Sequence, residues 1–113
     1  MKILFGGIIF LAFVTGGCDS QYDPVVDVRL TPPNFQIKNQ TIEPLFFLAI
    51  ETDLLARINM ADPCDNFKPN LSPYEMKEIP IKEVYGVDEQ STSITVIWTD
   101  CKSPVNSKRL MIN

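Results

Sequence analysis

Ile94-Thr95-Val96-Ile97-Trp98-Thr99 is the stretch that decides the fold class. Ile94, Val96 and Trp98 alternate with Thr95, Ile97 and Thr99, the period-two pattern of a strand, in β-branched and aromatic residues that suit a pleated surface. Working outward, residues 26–30 repeat the pattern: Val26, Val28 and Leu30 are set against Asp27 and Arg29 until Thr31-Pro32-Pro33-Asn34 stops it. Phe35 and Ile37 begin a second strand. Leu45-Phe46-Phe47-Leu48-Ala49-Ile50 is a continuous apolar run that suits a central strand covered on both faces, and it is expected to form a hairpin with the second strand. Glu51-Thr52-Asp53 is a turn, or Thr52 or Asp53 caps one turn of helix. Leu54, Ala56, Ile58 and Met60 then alternate with Leu55, Arg57 and Asn59, which predicts a fourth strand. Ile79 and Ile81 alternate within residues 76–84, Tyr85-Gly86-Val87-Asp88-Glu89 turns the chain, and Leu110-Met111-Ile112 adds a short edge strand.

Six or seven short strands with prolines at the turns predict an all-β domain over residues 25–113. The expected form is a small antiparallel, immunoglobulin-like β-sandwich, with a small β-barrel as the alternative. The cysteine and tryptophan spacing of antibody domains is missing, since Trp98 stands only three residues before Cys101. Residues 61–74 hold Pro63, Pro69 and Pro73 among Asp62, Asp65, Asn66, Asn70 and Ser72, and read as a long loop.

Catalytic chemistry finds little support. The chain has no histidine, so neither a Ser-His-Asp nor a Cys-His arrangement can be built from it, and no Gly-rich phosphate loop is present. Asp62, Asp65 and Asn66 could offer oxygens to calcium, but their spacing fits no calcium loop and such residues form turns. Glu51 and Asp53 could work as an acid–base pair, or form a solvated turn at a strand end. The expectation is a protein that is not an enzyme, with no cofactor and no metal.

The chain begins with Lys2, a 12-residue apolar run over residues 3–14, and Thr15-Gly16-Gly17-Cys18, the layout of a bacterial secretory signal over residues 1–17. As a helix, that run covers about 18 Å against the roughly 30 Å of a bilayer core, too short to span it. Val14-Thr15-Gly16-Gly17-Cys18 resembles the lipobox of bacterial lipoproteins, with Thr15 where that family most often has leucine. The resemblance implies that the Cys18 sulfur receives a diacylglycerol, that the signal is cut before it, and that the new amino terminus is often acylated. Lipidation at Cys18 would tie the protein to a membrane of the cell envelope, since several acyl chains hold where one does not. The same residues also read as an ordinary secretory signal cut after Gly17, which would leave a soluble secreted protein. Asp19 implies inner-membrane retention in enteric-type bacteria; other groups do not use that rule, so inner and outer membranes both remain open. Residues 18–24 form a short tether that reaches at most about 23 Å.

With Cys18 lipidated, Cys64 and Cys101 are left in an oxidising compartment and are expected to form a disulfide; a pair 37 apart does not have zinc-finger spacing. Residues 1–17 carry one basic side chain and no acidic one. The remaining 96 residues therefore hold 9 basic and 14 acidic side chains, a net charge of −5, which argues against nucleic acid as a partner. Phe35, Phe46, Phe47 and Trp98 are expected in the core. Phe67, Tyr74 and Tyr85 fall in loops, and exposed loop aromatics on a rigid scaffold make these three the candidate binding surface. Leu71-Ser72-Pro73-Tyr74-Glu75, Ile79-Pro80, Val84-Tyr85-Gly86 and Val96-Ile97-Trp98 together look like a pattern of small exported bacterial proteins, a resemblance that implies no activity. The expected role is a lipid-anchored, non-catalytic binding or envelope-accessory module whose partners are the membrane and an envelope protein. The alternative is an inhibitor or exclusion factor that blocks an envelope enzyme or receptor.

Overall fold

A computed structural model describes residues 25–113. The expected signal peptide over residues 1–17, Cys18 and the expected 18–24 tether lie outside the described residues. Two three-stranded antiparallel sheets pack face to face: β1 (Val26–Thr31), β2 (Asn34–Asn39) and β4 (Met76–Pro80) in one, β3 (Phe46–Glu51), β5 (Ser93–Thr99) and β6 (Asn106–Met111) in the other. The molecule is a small all-β sandwich and not a closed barrel.

Alternation builds the core. Val26 and Val28 on β1, Phe35 and Ile37 on β2, and Ile94 and Val96 on β5 turn inward and are buried, each large aliphatic or aromatic side chain contributing about 1.5–3 kcal/mol through burial. β5 is central to its sheet, with Glu51 opposite Ile94 on one side and Leu110 opposite Ile94 on the other. Its outer face is covered as well: helix α1 (Thr52–Leu55) lies against it, and the hydroxyls of Thr52 and Thr95 meet at 3.0 Å.

Three local expectations are corrected. The second strand does not form a hairpin with the Leu45–Ile50 run; β2 pairs with β1 across the Pro32-Pro33 turn and with β4, whereas β3 belongs to the opposite sheet. The 40–44 turn directs the chain across the sandwich because Asn39 seizes it: Nδ2 donates to Glu43 O at 2.7 Å, and Oδ1 accepts from Thr41 N at 3.0 Å. No strand forms over residues 54–60. Glu51 instead caps α1, its two carboxylate oxygens accepting from Leu54 N at 2.8 Å and Asp53 N at 3.1 Å, which satisfies amides that a helix start otherwise leaves bare. The strand after Met76 stops at Pro80, and Ile81–Glu83 form a short 3-10 turn.

β3 is an edge strand in its sheet, yet both its faces and its edge are protected. Phe47 packs inward, whereas Phe46 and Leu48 look outward across a shallow groove at Met60, Pro63 and Asn66. The open edge is filled by loops: Leu45 and Leu71 exchange backbone hydrogen bonds at 2.9 Å, Asn70 Oδ1 accepts from Phe47 N while its Nδ2 donates to Phe47 O, and Tyr85 O accepts from Glu51 N. Each flank of the sandwich is also stapled by a lysine from an edge strand. Lys77 Nζ on β4 donates to Asn70 O at 2.6 Å and lies over the Phe47 ring, and Lys108 Nζ on β6 donates to Val28 O at 2.8 Å. Lysines on sheet edges oppose edge-to-edge pairing with other chains.

Candidate functional site

The strands give the sandwich two ends. At the end from which β1 starts, called the tether end for the expected 18–24 tether that precedes Val25 in sequence, lie Val25, the 40–44 turn, the 71–75 turn and the 100–105 turn; at the far end lie Pro32-Pro33, Pro80, Tyr85 and Met111. The three candidate aromatics are outside the strands, but they do not form one surface. Phe67 is half-buried in the loop that faces Phe46 and Leu48, Tyr74 is exposed at the tether end, and Tyr85 is exposed at the far end. The segments of Tyr74 and Tyr85 pair with β3 through Leu71 on Leu45 and through Tyr85 on Ile50. Ile50 is five strand steps on from Leu45, so these attachments stand about 17 Å apart.

Cys64 and Cys101 form a disulfide, with Cα atoms 5.6 Å apart. It joins the long loop to the turn after β5. Cys101 itself has φ 63 and is clamped by its neighbours: its amide donates to Thr99 Oγ1 at 2.9 Å. Asp100 Oδ1 accepts from Lys102 N, Ser103 N and Ser103 Oγ at 2.9–3.0 Å. The Lys102 backbone donor is the largest cause that holds the Asp100 carboxyl below its ordinary pKa; desolvation, next in size, opposes it, and the Ser103 donors add to the lowering. Lys102 Nζ in turn meets Glu43 Oε1 at 2.9 Å, and that hydrogen bond and charge raise its pKa.

The acidic candidates resolve into structural roles. Asp62 Oδ1 accepts from Cys64 N at 2.9 Å and Asp62 O from Asp65 N at 3.1 Å, the bonds of a tight turn. Among the described residues, no group of three acidic, cysteine or histidine side chains could hold a metal ion. Glu51 is buried, not solvated, and both its oxygens are committed to capping α1. Gly86 lies against that helix with φ +85.

Two features were not read from the sequence. Asn39, at 0 % exposure, ties the 40–44 turn to the 71–72 backbone through Leu71 O and Ser72 O; its only local signal was an Asn-Gln-Thr turn. At the far end, Leu30, Pro33, Pro80, Ile81, Val87 and Ile112 line an open cleft of about 620 Å³ with Lys82, Asp88 and Glu89 at its margin. That volume is within the range of small-ligand clefts. Its walls come from four separated segments, so no local motif announces it.

Fold and geometry together define a disulfide-stapled antiparallel β-sandwich whose loops cluster at two opposite ends. Compared with known protein families, curated proteins and solved structures, the chain matches none.

Proposed function

We propose that this protein is a lipid-anchored component of the bacterial cell envelope, a non-catalytic binding module held to its membrane through Cys18. The observation that carries the reading is the Cys64–Cys101 disulfide. Such a bridge suits an exported chain in an oxidising compartment. Of the three cysteines it leaves Cys18, directly after a signal-like apolar segment, for acylation. The lack of any histidine, and the commitment of Glu51 to a helix cap, support binding over catalysis. An envelope protein is the proposed second partner, met by the loops of the far end, where Tyr85 stands clear of the body.

Cells expressing the protein are fed an alkyne fatty acid and fractionated. The wild type should take up label and sediment with membranes, whereas Cys18→Ser should do neither. An unlabelled wild type overturns the anchor. Cross-linking in detergent-solubilised envelope, wild type against Tyr85→Ala, then tests the far-end contact, which is wrong if both give the same adduct.

A further inference from the structure

Exposed large apolar side chains are unevenly placed on this molecule. Among the described residues there are eight, and five of them, Val25, Ile42, Tyr74, Met76 and Val105, belong to segments that meet at the tether end. Backbone pairing gathers them. Gln40 N donates to Val25 O at 2.9 Å, two residues from Ile42, and Asn39 N donates to Glu75 O at 2.9 Å, between Tyr74 and Met76. The turn that leads to Val105 is tied to the same end by Lys102 on Glu43.

Tyr74 is held there against its conformational preference. Glu75 N donates to Ser72 O at 3.0 Å and Ser72 N to Glu75 Oε1 at 2.8 Å, closing a four-residue turn with Pro73 and Tyr74 at its centre. Tyr74 has φ 61, the left-handed region that such a turn normally gives to glycine. Tyr74 is 60 % exposed, so core packing does not explain why a large side chain occupies a strained position. Backbone outliers of this kind are concentrated at binding and active sites.

We propose that the tether end is a membrane-docking face, with Val25, Ile42, Tyr74, Met76 and Val105 dipping into the headgroup layer of the bilayer that holds Cys18. The inference rests on the lipid-anchor reading and adds the orientation of the domain. The length of chain before Val25 selects a lipid surface as the occupant. Only residues 18–24 separate the acylated cysteine from this face, and at full stretch they reach about 23 Å. The anchor therefore keeps the tether end beside the headgroups. Side-chain chemistry agrees, since apolar tips accompanied by a tyrosine suit an interface that is apolar on one side and wet on the other. Insertion is apolar and shallow, about 5–10 Å, and so should persist on uncharged lipid and in high salt.

Met76 and Met111 are exposed to similar extents, 48 % and 58 %, at opposite ends of the sandwich, so one sample contains both probe and control. The acylated wild type is reconstituted in phosphatidylcholine vesicles and treated with dilute peroxide, and oxidation of the two residues is followed by peptide mass. Unacylated Cys18→Ser protein in buffer is the reference. Relative to it, Met76 oxidation on vesicles should slow by about fivefold, as expected for insertion beneath the headgroups, with Met111 unchanged. If, in protein that floats with the vesicles, Met76 is not slowed or is slowed no more than Met111, docking is overturned and the anchor stands. A wild type that carries no acyl chain and does not float overturns both. If Met76 is already protected in the lipid-free reference, another copy of this chain covers the face, and lipid docking is again overturned. Tyr74→Gly relieves the strained φ, so it should keep the melting temperature while returning Met76 oxidation toward the solution rate. A folded Tyr74→Gly protein with Met76 still fully shielded overturns the role given to Tyr74.

Discussion

Replacing Asn39 by alanine should remove about 3–5 kcal/mol of stability, although the residue lies in neither a catalytic nor a ligand site. The side chain is fully buried and makes four short hydrogen bonds: to Glu43 O at 2.7 Å, to Ser72 O at 3.1 Å, from Thr41 N at 3.0 Å and from Thr41 Oγ1 at 2.7 Å. The carbonyls it leaves keep other donors, since Glu43 O also accepts from Thr41 Oγ1 and Ser72 O from Glu75 N. Thr41 N keeps none. Loss of the bonds at roughly 0.5–1 kcal/mol each, plus about 1 kcal/mol for the stranded amide, gives the total. That is a large part of the roughly 5–15 kcal/mol that holds a small domain together. Asn39→Asp separates hydrogen bonding from packing, because it keeps the shape and the acceptor oxygen but points a second oxygen at the Glu43 and Ser72 carbonyls. Urea unfolding without reductant, followed by Trp98 fluorescence, measures both variants against wild type. An Asn39→Ala loss below about 1 kcal/mol, or an Asn39→Asp protein as stable as wild type at neutral pH, refutes the assignment of Asn39 as the tie between the two turns.

Gly86→Ala should cost about 2 kcal/mol, because it forces a left-handed φ on an L-residue and brings a Cβ to 2.6 Å from Leu54 Cδ2 and 3.3 Å from Glu51 Cβ; an unchanged melting temperature would show that α1 simply moves aside. Removing the bridge with Cys64→Ala and Cys101→Ala should lower stability by about 4 kcal/mol, the chain-entropy value for a loop of this length, read from urea midpoints, while thiol counting on unfolded, unreduced protein should find neither cysteine free. Asp100 is held below its ordinary pKa, so its turn contributes fully above about pH 4 and loses that contribution as pH falls toward the lowered value. The stability advantage of wild type over Asp100→Asn should therefore shrink on acidification below pH of about 4, and a difference that does not change with pH would contradict the carboxylate's role.

Residues 94–99 and 26–30 announced their strands because alternation is a local property, and burying Ile94, Val96, Val26 and Val28 on one face satisfies it directly. Residues 54–60 alternate just as cleanly, yet they form no strand. Their fate is decided by groups that local pattern does not weigh: both oxygens of Glu51 cap a helix at Leu54, Gly86 makes room for that helix, and the β3 edge a fourth strand could have used is already taken by Asn70, Leu71 and Tyr85. The disulfide was legible from cysteine number and the compartment expected from the first 18 residues, since two spare thiols in a chain expected to be exported have one simple fate.

The grouping of the exposed residues had no such signal. Sequence alone predicted an all-β chain and a candidate export segment from residue type and short-range spacing, and, through the lipobox resemblance at Cys18, the pairing of Cys64 with Cys101. Only the tertiary structure placed Tyr74 and Tyr85 at opposite ends and set Val25, Ile42, Met76 and Val105 at the end that holds Tyr74. The reason is register: which ends coincide depends on pairings such as Asn39 with Glu75 and Leu45 with Leu71, formed between residues far apart in the chain. Those pairings are selected by how well two sheets close over one shared core, a property of the whole chain that no stretch of it carries alone.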